Sequence, residues 1–179
     1  MTATVQPLPD EPLAIRLLNT TWSGDTGEVD LLDERADLAR WLASVDVAAR
    51  ATEEMRVALR AARSVIAAYA ADPDETAARQ ALNALLEQGA ITRTLGVGGE
   101  VVRSVTVDES RLPGWMAADD LLDIITNRPG RIRQCAHPRC VLWFLDTSRN
   151  ASRRWCSMAG CGNRAKAQQH YRRHRHSNT

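Results

Sequence analysis

The 179-residue sequence predicts an α+β fold: a mainly helical N-terminal domain with one β-hairpin, then a small C-terminal module of a different kind. Three observations lead there. Apolar residues recur at helical spacing through most of residues 13–127. The period switches once to β-branched alternation, in two runs joined by glycines. All four cysteines fall in the last 45 residues, as two matched pairs.

The elements follow in order. Residues 1–12 are proline-rich and expected to be loose. Residues 14–22 run from apolar to polar and end in a glycine-containing turn at 23–27. Leu38, Trp41, Leu42 and Val45 mark a helix with Asp33 as its N-cap. A longer helix is expected over 52–71, with the stripe Met55, Leu59, Ala62, Ile66 and Tyr69. Thr52, Glu53 and Glu54 suit the positive end of its dipole. A third helix over 74–88 buries Ala78, Leu82, Leu85 and Leu86. Residues 91–95 and 100–107 form the hairpin, turned by Gly96-Val97-Gly98-Gly99. Trp115, Ala118, Leu122 and Ile125 give a fourth helix, and Asp119-Asp120 reads as acidic charge near a helix start. Asn127-Arg128-Pro129-Gly130 ends it. The domains expected are therefore 13–127 and 131–176, with Pro129-Gly130 as a linker that lets each fold alone. The Trp and Leu stripes are core, since apolar helical spacing is the ordinary means of burying a helix face.

The net charge of +1 conceals a split. Residues 131–179 carry eleven Lys and Arg against a single acid, Asp146, while residues 1–130 carry twelve basic and twenty-one acidic residues. All four histidines lie in the basic part. Such asymmetry points to a nucleic-acid-facing module on an acidic body. There is no basic start followed by an apolar run and no stretch of membrane-spanning length, so a cytoplasmic, nucleoid-associated protein with no membrane partner is expected. In that compartment disulfides are rare, and clustered cysteines more often bind metal.

Cys135, Cys140, Cys156 and Cys161 are spaced C-x4-C-x15-C-x4-C. Two short loops can each offer two thiolates to one tetrahedral zinc ion. A thioredoxin-like redox pair needs C-x2-C, which is absent. Four thiolates leave no coordination position for water, so the expected zinc is single and structural. Structural zinc supplies on the order of 10–16 kcal/mol in zinc-finger peptides. His137, inside the first loop, is read as a solvated loop residue rather than a spare ligand. A strand at 131–134, a second at 141–146 and a helix from Gly162 onward complete a treble-clef-like zinc finger.

Cys161-Gly162-Asn163-Arg164 resembles the signature of the CGNR zinc-finger family. Arg133-x-Cys135, Trp143-Phe144-Leu145-Asp146, Ser148-Arg149-Asn150 and Arg153-Arg154-Trp155-Cys156-Ser157-Met158 fit the same pattern. In that family the finger follows an ABATE domain, which residues 15–22, with Asn19-Thr20, and residues 37–42 resemble in short form. The family is bacterial and is regarded as stress-related transcription regulators. The resemblance thus implies DNA, rather than RNA, as the partner.

Arg149, Arg153, Arg154, Asn163, Arg164, Lys166, Gln168, Arg172 and Arg173 are the candidate nucleic-acid contacts. Arginine offers bidentate contacts to phosphates and guanine edges, and lone amides can read a base edge. On a helix Arg164, Gln168, Arg172 and Arg175 share one face. The alternative is a zinc-stabilised protein-interaction module gripping an acidic partner. The N-terminal domain is assigned ligand sensing or homodimerisation. Asn19, Thr20 and Trp22 are the candidate contacts for a small ligand, against a capped turn with a core Trp. No Ser/His/Asp or Cys/His constellation, P-loop or catalytic carboxylate pair is recognisable, so an enzyme is not expected.

Overall fold

A computed structural model describes residues 5–24 and 27–168. The chain order is α1 (Leu13–Leu18), β1 (Thr21–Gly24), β2 (Gly27–Asp30), α2 (Arg35–Ser44), α3 (Glu53–Ala71), α4 (Thr76–Leu86), β3 (Gly89–Leu95), β4 (Val101–Val107), α5 (Leu112–Asn127), β5 (Ile132–Gln134) and β6 (Trp143–Leu145). A π-helical turn, Met158–Gly162, runs into a helix over 163–168. The fold is α+β, as predicted, with the strands in three separate antiparallel pairs. No helix of the described residues is long and apolar enough to cross a membrane.

The central helix is α3. Its stripe of Met55, Leu59, Ala62 and Ile66 is buried, and Tyr69 packs at its margin. Thr52 caps it, accepting the Met55 N–H at 3.2 Å. Helix α5 crosses so close that a Cβ on Gly114 would stand 2.8 Å from the Ala62 Cβ, so only glycine fits there. Helix α1 is short and its apolar residues are almost fully buried. A buried helix start needs a partner for its N–H groups. Asp120 provides one, accepting the Ala14 N–H at 2.8 Å from the middle of α5.

Several expectations change. Asp119 and Asp120 lie in mid-helix, not at a helix start: Asp120 serves α1, and Asp119 pairs with Arg103 of β4. Asp33 does not cap α2; the cap position is Glu34, without a side-chain bond, and Asp33 pairs with Arg60. Helix α5 buries Leu121 and Ile124, leaving Leu122 38% exposed. Both stripes have helical spacing on this apolar helix, so only the packing chooses between them. A second body hairpin, β1–β2, occupies the presumed turn. Arg63 of α3 holds it, bonding the Thr20 and Thr21 hydroxyls and both Asp30 carboxylate oxygens at 2.7 Å each.

The C-terminal module does not stand apart either. Chain direction changes at Gly130, whose φ of 66° favours glycine. Beyond it, β5 and β6 pack on α3 and α1. Leu145 is buried within the body's own core, with Ile132 and Trp143 against it.

Candidate metal centre and its basic surface

The first cysteine loop hangs from the β5–β6 hairpin. Cys135 N–H donates to Leu142 O and Cys140 N–H to His137 O, both at 2.9 Å, which closes the loop into a knuckle. The second pair brackets the π turn, Cys156 just before its Ser157 cap and Cys161 near its end. Ser157 caps that turn by accepting the Gly160 N–H at 3.2 Å, and Gly162 N–H reaches back to Ser157 O at 2.9 Å. The wide turn brings Cys161 beneath Cys156. The two loops are tied together by Ala136 N–H donating to Arg154 O.

All four sulfurs come within 4.8 Å of one another. Cys140 Sγ and Cys156 Sγ are 3.7 Å apart, Cys156 Sγ and Cys161 Sγ 3.6 Å. Zinc–sulfur bonds of about 2.3 Å in a tetrahedron separate the sulfurs by about 3.8 Å, so the cluster has the dimensions of a zinc site. The surroundings suit thiolates: Cys135 Sγ accepts the Cys156 N–H, and Cys161 Sγ accepts from Arg164 Nη2, both at 3.4 Å. These bonds orient the ligands, as partners of ligands usually do. Burial pushes the Cys140 thiol up to about 11 and drives Cys156 up as well. Burial also acts on Cys135, but hydrogen bonds from Cys156, His137 and neighbouring sulfurs outweigh it and lower its pKa. A divalent ion supplies the positive charge that lets all four ionise together. The chain therefore carries a single structural zinc, with no open position for chemistry.

His137 is not solvated. It is 3% exposed, its Nδ1 accepts the Arg139 N–H at 3.3 Å, and its Nε2 is buried without a partner among the described residues. The knuckle folds the ring inward. The lone acid of the module, Asp146, is 1% exposed. It accepts from Ser148 N–H and Oγ–H and from Arg153 N–H, shaping the loop that leads to the second cysteine pair. The Ser148 hydroxyl contributes most to holding its carboxyl below the ordinary value.

The candidate nucleic-acid residues divide. Arg153 is partly exposed, but its guanidinium is engaged by the protein. Its guanidinium donates to the carbonyls of Trp155, Leu145 and Cys156, lies 4.3 Å from the Phe144 ring centroid, and approaches Glu11 at 3.9 Å. It is a strut between finger and body, and its assignment to a nucleic-acid contact is withdrawn. Arg149, Arg154, Asn163, Arg164, Lys166 and Gln168 are exposed. Arg154 rests on Trp155 at 5.3 Å, and Asn163 Nδ2 donates to Ala159 O at 3.3 Å. Arg172 and Arg173, and the helix face continuing to Arg175, lie outside the described residues. Arg133 and Arg139 are also exposed, beside the first cysteine pair, and belong with this set. Their positions next to metal ligands were the available signal.

Asn19 and Thr20 are both 0% exposed. Thr20 Oγ1–H donates to Leu17 O at 2.7 Å, and Asn19 grips the backbone of Trp143 in the finger. Trp22 packs against the body core. The ligand assignment is therefore corrected at Asn19 and Thr20, whose side-chain polar atoms are hydrogen-bonded within the protein, while the Trp22 ring is part of the body's packing.

Two family models match the chain. Residues 11–128 are similar to ABATE, described as "Putative stress-induced transcription regulator". Residues 131–174 are similar to the CGNR zinc finger. A search among curated proteins returned no match.

Proposed function

This chain belongs to the ABATE family and ends in a CGNR zinc finger, and on that footing we propose that it is a transcription regulator that binds DNA through the finger. The two parts, 13–127 and 131–176, divide the work. The finger grips DNA, and the body sets how many fingers act together and responds to signals.

One observation carries this reading. The finger's only acid is buried, while Arg133, Arg139, Arg149, Arg154, Arg164 and Lys166 are all exposed. The surface around the zinc thus presents cations to a polyanion with no exposed carboxylate of its own among the described residues. Phosphate contacts of this kind release condensed counterions and give sequence-independent affinity. Arg164 is the best placed to read a base. It stands in the first turn after the zinc ligands, where its Nη2 contact to Cys161 holds it in position. Arginine paired with guanine is the commonest specific contact.

The test is binding of the zinc-loaded protein to genomic fragments across a salt series. Affinity that falls linearly on a log–log plot and differs among fragments supports the reading. Binding to an acidic protein without any to DNA would favour the protein-interaction module instead.

A further inference from the structure

The β3–β4 hairpin is paired on one side only. Each strand hydrogen-bonds to the other, and neither outer edge has a partner among the described residues. An isolated two-stranded ribbon is marginal in water, and open edges invite another strand. It is held at its base, where Gly89 packs under Trp115, and at mid-strand, where Arg103 pairs with Asp119. Of the ten exposed large hydrophobic residues in the described structure, five lie here: Leu95, Val97, Val101, Val102 and Val105. Three of them, Leu95, Val101 and Val105, share one face of the ribbon, and an exposed apolar patch calls for an explanation that scattered single exposures do not.

The ribbon also lacks the usual guards. Ala90, Thr92, Thr94, Val102, Ser104 and Thr106 form one face; all are exposed and none is charged. Edge strands in monomers are normally blunted by charge, proline or a bulge. Strand β4, Val-Val-Arg-Ser-Val-Thr-Val, has five β-branched residues, no proline, and one charge already neutralised by Asp119. Its sequence is also self-complementary. Two β4 strands related by a two-fold axis at Ser104 would pair Val101 with Val107, Val102 with Thr106 and Arg103 with Val105. No like charges face each other directly, and the β-branched pairs are of the favourable kind. On β3, the equivalent pairing would bring Arg93, which has no acidic partner among the described ion pairs, near its own copy.

We propose that a second copy of this chain adds to the outer edge of β4, making a continuous four-stranded sheet in the order β3-β4-β4-β3. Such an interface is isologous, as a two-fold dimer requires. It sets two fingers on one particle, which compensates for the small surface that a single finger buries. The dimer itself does not depend on the DNA reading, because it forms with no nucleic acid present.

The experiment uses full-length, zinc-saturated protein without DNA. Sedimentation equilibrium over a concentration series is expected to show a dimer. Val105→Arg places an arginine opposite Arg103 of the partner subunit twice per dimer, and should weaken association at least about tenfold. The melting temperature of dilute, monomeric protein should hold. Val105→Glu, facing the same arginine, should keep the dimer. Residues paired across antiparallel strands have Cα atoms about 4.5–5.5 Å apart, within disulfide reach. Ser104→Cys should therefore form a linked dimer on mild oxidation, and Thr92→Cys should not. A wild type that stays monomeric at all concentrations overturns the proposal. So does preferential linkage through Thr92→Cys, or a Val105→Arg variant that dimerises normally. A monomer whose DNA affinity falls in Val105→Arg would make the ribbon a nucleic-acid contact and would also overturn it.

Discussion

Asn19 closes its whole side-chain amide on the backbone of Trp143. Its Oδ1 accepts the Trp143 N–H at 2.8 Å, and its Nδ2 donates to the Trp143 carbonyl at 2.9 Å. One residue from the end of α1 thereby acts as a strand partner for β6, and fastens the finger to the body 124 positions away. Glu11 repeats the pattern, accepting the Leu145 N–H at 2.8 Å. The two parts of the chain share a seam in which side chains of one bond the backbone of the other.

Asn19→Ala strands the two Trp143 backbone groups in a buried place. The expected loss is about 1–3 kcal/mol for each group left unsatisfied. Asn19→Asp should cost more than the alanine variant, because a carboxylate then faces the Trp143 carbonyl with no donor. Urea unfolding curves check this. Unchanged midpoints in both variants would show the seam to be energetically idle.

Removing zinc should disturb the body as well as the finger. Cys156→Ser leaves three thiolates and should abolish stoichiometric zinc, measured by elemental analysis. Leu145 belongs to the body core, so the loss should also loosen α1 and α3 and lower the main thermal transition. Hydrogen exchange resolved along the chain is the measurement. A body that exchanges as in wild type would show the finger to be independent after all.

Three neighbouring arginines should behave in two ways. Arg153→Ala removes a guanidinium that joins three carbonyls and a ring, so the protein should melt lower. Arg149→Ala and Arg154→Ala should leave the melt within a degree or two, because both side chains are exposed. Each should shallow the salt dependence of DNA binding by about one unit if it contacts a phosphate. Thermal melts and a salt titration on the same preparations separate the two classes.

Acid should unlock the β1–β2 hairpin through Asp30. Burial pushes this carboxyl up, but the hydrogen bonds and charge of Arg63, the Leu32 N–H and the charge of Arg60 outweigh it and leave it below 3.8. A depressed folded-state pKa contributes stability that is complete above the unfolded value and is lost as pH falls through the folded one. The contribution should therefore be whole at neutral pH and fade as pH falls below the ordinary aspartate value of about 3.9. Asp30→Asn should be less stable at neutral pH, and the gap to wild type should narrow in acid. Zinc release affects both proteins alike, so the difference between their unfolding curves isolates Asp30. A gap that stays constant down to the acid limit would remove Asp30 from this role.

What the sequence determined alone was local. The paired C-x4-C loops announce zinc because each supplies its two ligands within a few residues of chain. The stripe Met55, Leu59, Ala62 and Ile66, with Thr52 before it, announces α3 because spacing and capping both act within one or two turns. The glycine turn between β-branched runs announces β3–β4 for the same reason. The tertiary structure decided everything that required a distant partner. It turned Asn19 from a candidate ligand contact into a clasp on Trp143, and Asp120 from an acid expected at a helix start into a mid-helix partner for the first turn of α1. It chose Leu121 over Leu122, and drew Arg153 under Phe144 while leaving Arg154 in solvent. A side chain's charge and size are written in the sequence. Whether that charge is used inside or offered outside depends on which carbonyls the folded chain brings within three ångströms of it, and that information exists only once remote segments have packed.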